Sequence, residues 1–156
     1  MSVILWIDDN PTTTSTQIEE ARTLGFKVEV RYMPSAIQQV LETKPVHGIV
    51  VDIMLYGVNN LDNIKIAYSD TNGGKDAGWV LLEKLIWAKE SPYRQIPTVI
   101  LSARPYDDYQ QSQLKGVCQR CEINQHNIIY VEKGEKEWQK KFSDWLTRLP
   151  SPQKGN

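Results

Sequence analysis

Five short apolar runs, each closed by a polar turn and separated from the next by room for a helix, constrain this chain more than any other feature. The first is Val3-Ile4-Leu5-Trp6-Ile7, closed by Asp8-Asp9-Asn10-Pro11. In the second, Phe26, Val28 and Val30 alternate with polar residues, and the third runs from His47 to Leu55 with Asp52 near its end. The fourth is Ile96 to Leu101, closed by Ser102-Ala103, and the fifth is Asn127 to Val131, closed by Glu132-Lys133-Gly134. Apolar runs this short, rich in β-branched residues, read as strands. Nearly continuous apolar strands are those buried on both faces. Strands alternating with helices imply a parallel sheet with right-handed crossovers.

The intervening segments supply the helices. Pro11 and the hydroxyls from Thr12 to Ser15 offer caps for a helix carrying Ile18, Ala21 and Leu24, with Gly25 as its stop. Pro34 suits the first turn of a second helix, with Ala36, Ile37, Val40 and Leu41 as its apolar stripe. A third is expected over Gly78 to Lys89, with Val80, Leu81, Leu85 and Ala88 facing the core, and a more polar fourth over Tyr106 to Cys121. Trp138, Phe142, Trp145, Leu146 and Leu149 form one wide stripe on a fifth. Between the third strand and the third helix, Tyr56 to Ala77 is rich in Asn, Asp and Gly around an apolar knot at Ile64–Tyr68. It reads as an extended loop, with a short hairpin as one option. Loops beyond about 12–15 residues are uncommon and often functional.

The length of 156 residues fits one domain, taken as 1–150, with a polar tail over 151–156. With 40% apolar and 24% charged residues, the chain is neither disordered nor disulfide-built. No apolar run approaches the roughly 18 residues of a membrane span, and nothing at the start reads as a signal peptide. The expectation is a cytoplasmic protein with reduced thiols and no membrane partner. A net charge of −1 argues against nucleic acid as a direct partner.

In a parallel open sheet, functional groups gather at the carboxyl ends of the strands. Asp8 and Asp9, Asp52, Ser102 and Lys133 all occupy such ends. Three carboxylates sharing one edge raise each other's pKa unless a cation neutralises them. Oxygen ligands suit Mg²⁺, which often bridges carboxylates to phosphate. An ammonium and a hydroxyl beside them complete the equipment for phosphoryl transfer, in which a carboxylate serves as nucleophile.

Four segments now carry a resemblance over roughly positions 2 to 149: Ile7-Asp8-Asp9-Asn10-Pro11, Val50-Val51-Asp52-Ile53-Met54, Val99-Ile100-Leu101-Ser102-Ala103 and Tyr130-Val131-Glu132-Lys133. The chain resembles the response-regulator receiver domains, the CheY-like family. The resemblance implies a flavodoxin-like three-layer α/β fold with five parallel strands in the order 2-1-3-4-5. It makes Asp52 the phosphoacceptor, and Asp8, Asp9, Asp52 and the Met54 backbone carbonyl the Mg²⁺ ligands. Ser102 and Lys133 would contact the phosphoryl group, and Ser102 and Tyr130 would be the switch residues. It implies a histidine kinase or phosphotransfer protein as donor. A downstream protein would bind the face made by the fourth helix, fifth strand and fifth helix. No activity is implied beyond Mg²⁺-dependent self-phosphorylation and autodephosphorylation. No room remains after Leu149 for a DNA-binding output domain, so the chain signals by contacts or is the receiver part of a longer protein.

The chain departs from the family pattern at three places. Gly134 follows Lys133 where the family usually has a cis proline, and Tyr56 stands where a proline often follows the phosphoacceptor strand. The Tyr56–Ala77 loop is longer than in compact members. Gly134 and the long loop motivate an alternative, a receiver-shaped binding module that works without phosphate. A haloacid-dehalogenase-like phosphatase would want an Asp-x-Asp pair on the first strand, whereas Asp8 and Asp9 are adjacent. Other features have structural readings. Tyr130 suits a core strand residue as well as a switch. Cys118, Cys121 and His126 make three zinc-type ligands where a structural site needs four. His47 and His126 read as structural, the Trp138/Trp145 stripe as core, and Lys136, Lys140 and Lys141 as a solvated helix face.

Overall fold

The structure, a computed structural model, describes residues 2–56, 68–150 and 152. Five parallel strands, β1 (Val3–Ile7), β2 (Lys27–Arg31), β3 (Val46–Val51), β4 (Thr98–Ser102) and β5 (Ile129–Glu132), form one sheet in the order 2-1-3-4-5. Around them lie α1 (Ser15–Thr23), α2 (Pro34–Thr43), α3 (Ala77–Leu81), α4 (Asp108–Cys121) and α5 (Trp138–Arg148). This is the α/β architecture expected from the alternation of apolar runs and helical segments.

Side-chain alternation along the strands divides the core into two layers. Val3, Leu5, Ile7, Ile49, Val51 and Ile100 pack toward α2, α3 and α4. Ile4, Trp6, Val50, Val99, Leu101 and Val131 pack toward α1 and α5, where Phe142, Trp145, Leu146 and Leu149 complete the layer. The Trp6 and Phe142 rings meet at 5.4 Å. β1 is buried along its whole length, because it sits in the sheet interior with a helical layer on each side.

Several boundaries differ from the sequence reading. β3 ends at Val51, short of the expected Leu55, because the Asp52 carboxylate accepts the Met54 N–H at 3.1 Å and turns the chain. Ile53 and Leu55 remain core residues beyond the strand. β4 starts after Pro97, which has no N–H to donate, and ends on Ser102. A 3₁₀ turn at Gln125–Asn127 delays the start of β5 to Ile129. α4 starts at Asp108 because the Asp107 side chain caps the Gln110 N–H.

The third helix departs most. It is α-helical only over Ala77–Leu81, then widens into a π-helical turn over Leu82–Ile86, and does not reach Lys89. The Trp87 N–H returns to the Leu82 carbonyl at 2.7 Å, and the Trp87 ring is fully buried. Arg94 then donates to the Trp87 and Glu122 carbonyls, closing the segment against the end of α4. Trp79, Leu82, Ile86 and Trp87 are therefore core residues alongside the expected Leu81. The expected Tyr56–Ala77 loop is described only at its ends, where Tyr68–Thr71 forms a 3₁₀ turn. Its Ile64–Ala67 knot and any hairpin there lie outside the described residues, as does most of the 151–156 tail.

Candidate functional site

The carboxyl edge of the sheet collects the residues singled out from the sequence. Asp8 follows β1 and is 3% exposed, and its Oδ1 accepts the Asn10 N–H at 2.8 Å. Asp9, next along, is half-buried. Asp52 follows β3 and is 9% exposed. Its backbone N–H donates to the Ile7 carbonyl at 2.9 Å, which locks the two strand ends together. Lys133 follows β5 and donates its N–H to the Ser102 carbonyl at 2.7 Å, so β4 and β5 end in register. From there its Nζ reaches the Asp52 Oδ2 at 3.6 Å, an ion pair wider than a hydrogen bond. No peptide bond among the described residues is cis, so Lys133 reaches Asp52 with Gly134 behind it and a trans link.

One ammonium faces three carboxylates. Burial pushes the Asp52 carboxyl up to about 6; Lys133 and the Met54 N–H oppose that rise, and Asp8 and Asp9 add to it. Asp8 is also raised, first by burial and further by Asp9, against the Asn10 N–H, Lys133 and the Trp6 indole. The site thus carries excess negative charge that a proton or a cation neutralises.

Among the described residues, no three His, Cys, Asp or Glu side chains form a ready metal cage. The donor set nevertheless fits Mg²⁺, which takes one or two carboxylates, keeps several waters and leaves positions for phosphate oxygens. Asp8, Asp9 and Asp52 offer those carboxylates, and the repulsion between their charges favours a dication.

The switch candidates, Ser102 and Tyr130, stand on β4 and β5 of the same sheet. Ser102 is fully buried, and its Oγ accepts the Arg104 N–H at 3.1 Å. Among the described residues it makes no hydrogen bond to Asp52. Tyr130 donates its hydroxyl to the Arg104 carbonyl at 2.9 Å, and its ring stacks on Tyr106 at 4.5 Å. Burial pushes its phenol up to about 12, against the pull of the Ser102 hydroxyl and the Arg104 charge. Met54 contributes its N–H to Asp52, and its sulfur accepts the Tyr56 hydroxyl at 3.5 Å.

Sequence reasoning missed the residues that brace this edge. Arg104 donates to Asp76 Oδ1 and to the Lys75 carbonyl, both at 3.1 Å. Tyr109 donates to the other Asp76 oxygen at 2.6 Å, and the Arg104 guanidinium lies 5.4 Å from the Tyr109 ring centre. The Trp79 indole donates to Gln110 Oε1 at 2.8 Å. Asp76 sits in a segment whose composition reads as solvated loop, so only its burial reveals it. The buried thiols of Cys118 and Cys121 pack in the core, and burial raises both. His126 is exposed on the Gln125–Asn127 turn, and Lys136, Lys140 and Lys141 are exposed as expected.

No family model matches the chain, and no curated protein sequence matches it. Solved structures do. The signal receiver domain of a signal transduction histidine kinase from Syntrophus aciditrophicus aligns at 15% identity over 100% of this chain and 98% of that one, with a TM-score of 0.57. The Mn²⁺-bound form of response regulator Rcp1 aligns at 18% identity over 96% of this chain and 98% of that one, with a TM-score of 0.56. A CheY-like response regulator receiver domain from Methanospirillum hungatei JF-1 aligns at 10% identity over 94% of each chain, with a TM-score of 0.51. With its strand order and the helices packed on each side of its sheet, the chain has the fold of the response-regulator receiver domains, the CheY-like form of the flavodoxin-like fold.

Proposed function

We propose that the protein is a phospho-accepting receiver in which Asp52 takes a phosphoryl group from a phosphohistidine on a histidine kinase or phosphotransfer protein. The observation that carries this reading is a buried carboxylate at the sheet edge, with Lys133 Nζ at 3.6 Å and the Asp8 and Asp9 charges acting on it. In the transfer, an Asp52 carboxylate oxygen forms the new P–O bond. The P–N bond of the donor breaks, and the imidazole leaves with the electron pair and takes up a proton. Lys133 balances charge on the phosphoryl oxygens. Asp8, Asp9, Asp52 and the Met54 backbone carbonyl would hold Mg²⁺, which supplies charge neutralisation when bound. The phosphorylated state then biases the segments after β4 and β5, and a downstream protein reads it on the face of α4, β5 and α5.

An amide NMR titration with Mg²⁺ and then beryllofluoride, a stable mimic of an acyl phosphate, tests the reading. Saturable shifts around Asp52, Ser102 and Tyr130, lost in Asp52→Asn, are expected. A folded sample that responds to neither leaves the alternative, a receiver-shaped binding module that acts without phosphate.

A further inference from the structure

Arg104 stands where three otherwise separate parts meet. Its backbone serves both switch candidates, donating to the Ser102 hydroxyl and accepting from Tyr130. Its side chain leaves the β4–α4 segment and grips the start of α3, through Asp76 Oδ1 and the Lys75 carbonyl. Asp76 is 6% exposed and is held from the other side by Tyr109 of α4. A charge-assisted bond at a largely buried carboxylate fixes geometry far better than an exposed ion pair does. The Asp76 backbone is held in turn, its N–H donating to the Thr71 carbonyl at 2.9 Å. Asp76 and Trp79 also line the cleft between α3 and α4.

A shift of the Ser102 hydroxyl toward a group on Asp52 would strain its bond from the Arg104 N–H. Through that bond the shift would pull on the Arg104 backbone, whose guanidinium holds Asp76 and whose carbonyl accepts the Tyr130 hydroxyl. Ser102, Tyr130 and the start of α3 are thus joined through one residue.

We propose that Arg104 is a positioning residue: clasped to Asp76, it holds Ser102 and Tyr130 in an arrangement in which neither bonds Asp52, and loading of Asp52 with a phosphoryl group releases the clasp and frees the start of α3. The proposal rests on the phosphoacceptor reading and adds a route by which the state of Asp52 reaches the α3–α4 cleft. A ligand whose competent state is only fractionally populated binds with an affinity reduced by that fraction. Weakening the clasp therefore strengthens binding of the mimic, whereas a merely structural lesion weakens it.

The test uses Mg²⁺ with beryllofluoride on the full chain, followed by amide NMR, in Arg104→Gln, Asp76→Asn, their double variant and Arg104→Lys. Each of the first two should bind beryllofluoride about fivefold more tightly than the parent, at the lower end of typical coupling. The double variant should gain no more than either single one, and Arg104→Lys, which keeps the charge, should return most of the way to the parent. Unchanged or weaker binding in both single variants, or additive gains, overturns the proposal. A second arm needs no ligand. Hydrogen exchange at the Arg104 and Asp76 amides should speed up together in either variant, and an Arg104 amide that ignores Asp76→Asn overturns the clasp. If the parent and Asp52→Asn are alike in ignoring beryllofluoride, the phosphoacceptor reading falls, and the coupling to it falls too. The exchange arm then still decides whether the clasp exists.

Discussion

Asp52 is costly to bury as an anion, and that cost has a definite pH dependence. Its carboxyl stands at about 6 in the native state against an ordinary value of 3.8. Between those values the native protein holds a proton that the unfolded chain has released, so stability falls as pH rises through that window and levels off above it. The difference corresponds to roughly 3 kcal/mol at neutral pH, an upper bound because Lys133 loses its partner when the charge is removed. In protein kept free of divalent cations, Asp52→Asn should raise the unfolding free energy by about 1–3 kcal/mol at pH 7 and by almost nothing at pH 4. Urea unfolding at stepped pH checks this, and parallel pH profiles for parent and variant would refute it. Asp8, shifted in the same direction, keeps part of the slope in the variant. Asp8, Asp9, Asp52, Ser102 and Lys133 were legible in the sequence because each terminates an apolar run, and a parallel sheet collects such ends. Asp76 and Arg104 were not, since a loop carboxylate and a loop guanidinium look the same whether they meet each other or water.

At the scale of elements, α3 is placed by a close approach that only glycine allows. A Cβ on Gly78 would collide with the Asp52 carbonyl oxygen and stand 2.7 Å from the Ile53 Cα, and both obstacles are backbone. The Gly78 N–H donates to the Ile53 carbonyl at 2.9 Å, so the start of α3 is stitched directly to the segment carrying Asp52. Gly78→Ala should cost about 2–3 kcal/mol, at the upper end for overpacking, and weaken beryllofluoride binding by displacing Asp52. Gly134 is the contrasting case. Its added Cβ meets nothing within 4 Å and its φ is not positive, so Gly134→Ala should be neutral or stabilise by up to about 1 kcal/mol. Thermal melts of the two variants check both statements, and a Gly134→Ala loss as large as that of Gly78→Ala would contradict the geometry. The backbone at Gly134 therefore has room for a side chain. Element type was legible throughout, because apolar periodicity reports it. The π-helical turn at Leu82–Ile86, which precedes the buried Trp87, was not, because helical periodicity carries no signal for it.

For the molecule as a whole, order and layering were readable because strand faces alternate and parallel strands need crossovers. The long segment after β3 was not, since its composition specifies no packing. The charge distribution was readable only in part. The net charge is −1, so the protein as a whole exerts little attraction on cations. The negative charge that matters is concentrated at one sheet edge, where burial raises both Asp8 and Asp52. Ligand linkage converts that local concentration into a global measurement. A cation that binds only the folded chain, present at ten times its dissociation constant, stabilises by about 1.4 kcal/mol. For a domain of this size that raises the melting temperature by roughly 3–6 °C. Mg²⁺ should give such a rise at pH 7, and NaCl at matched ionic strength should not, since screening a nearly neutral protein changes little. At pH 5 the rise should shrink, because a proton on Asp52 competes with the metal. Replacing Asp8, Asp9 and Asp52 together with Asn should abolish it. Melting curves in Mg²⁺ and in NaCl at both pH values make the comparison. An equal rise in NaCl, or one that survives the triple replacement, would take the cation away from the edge of the sheet.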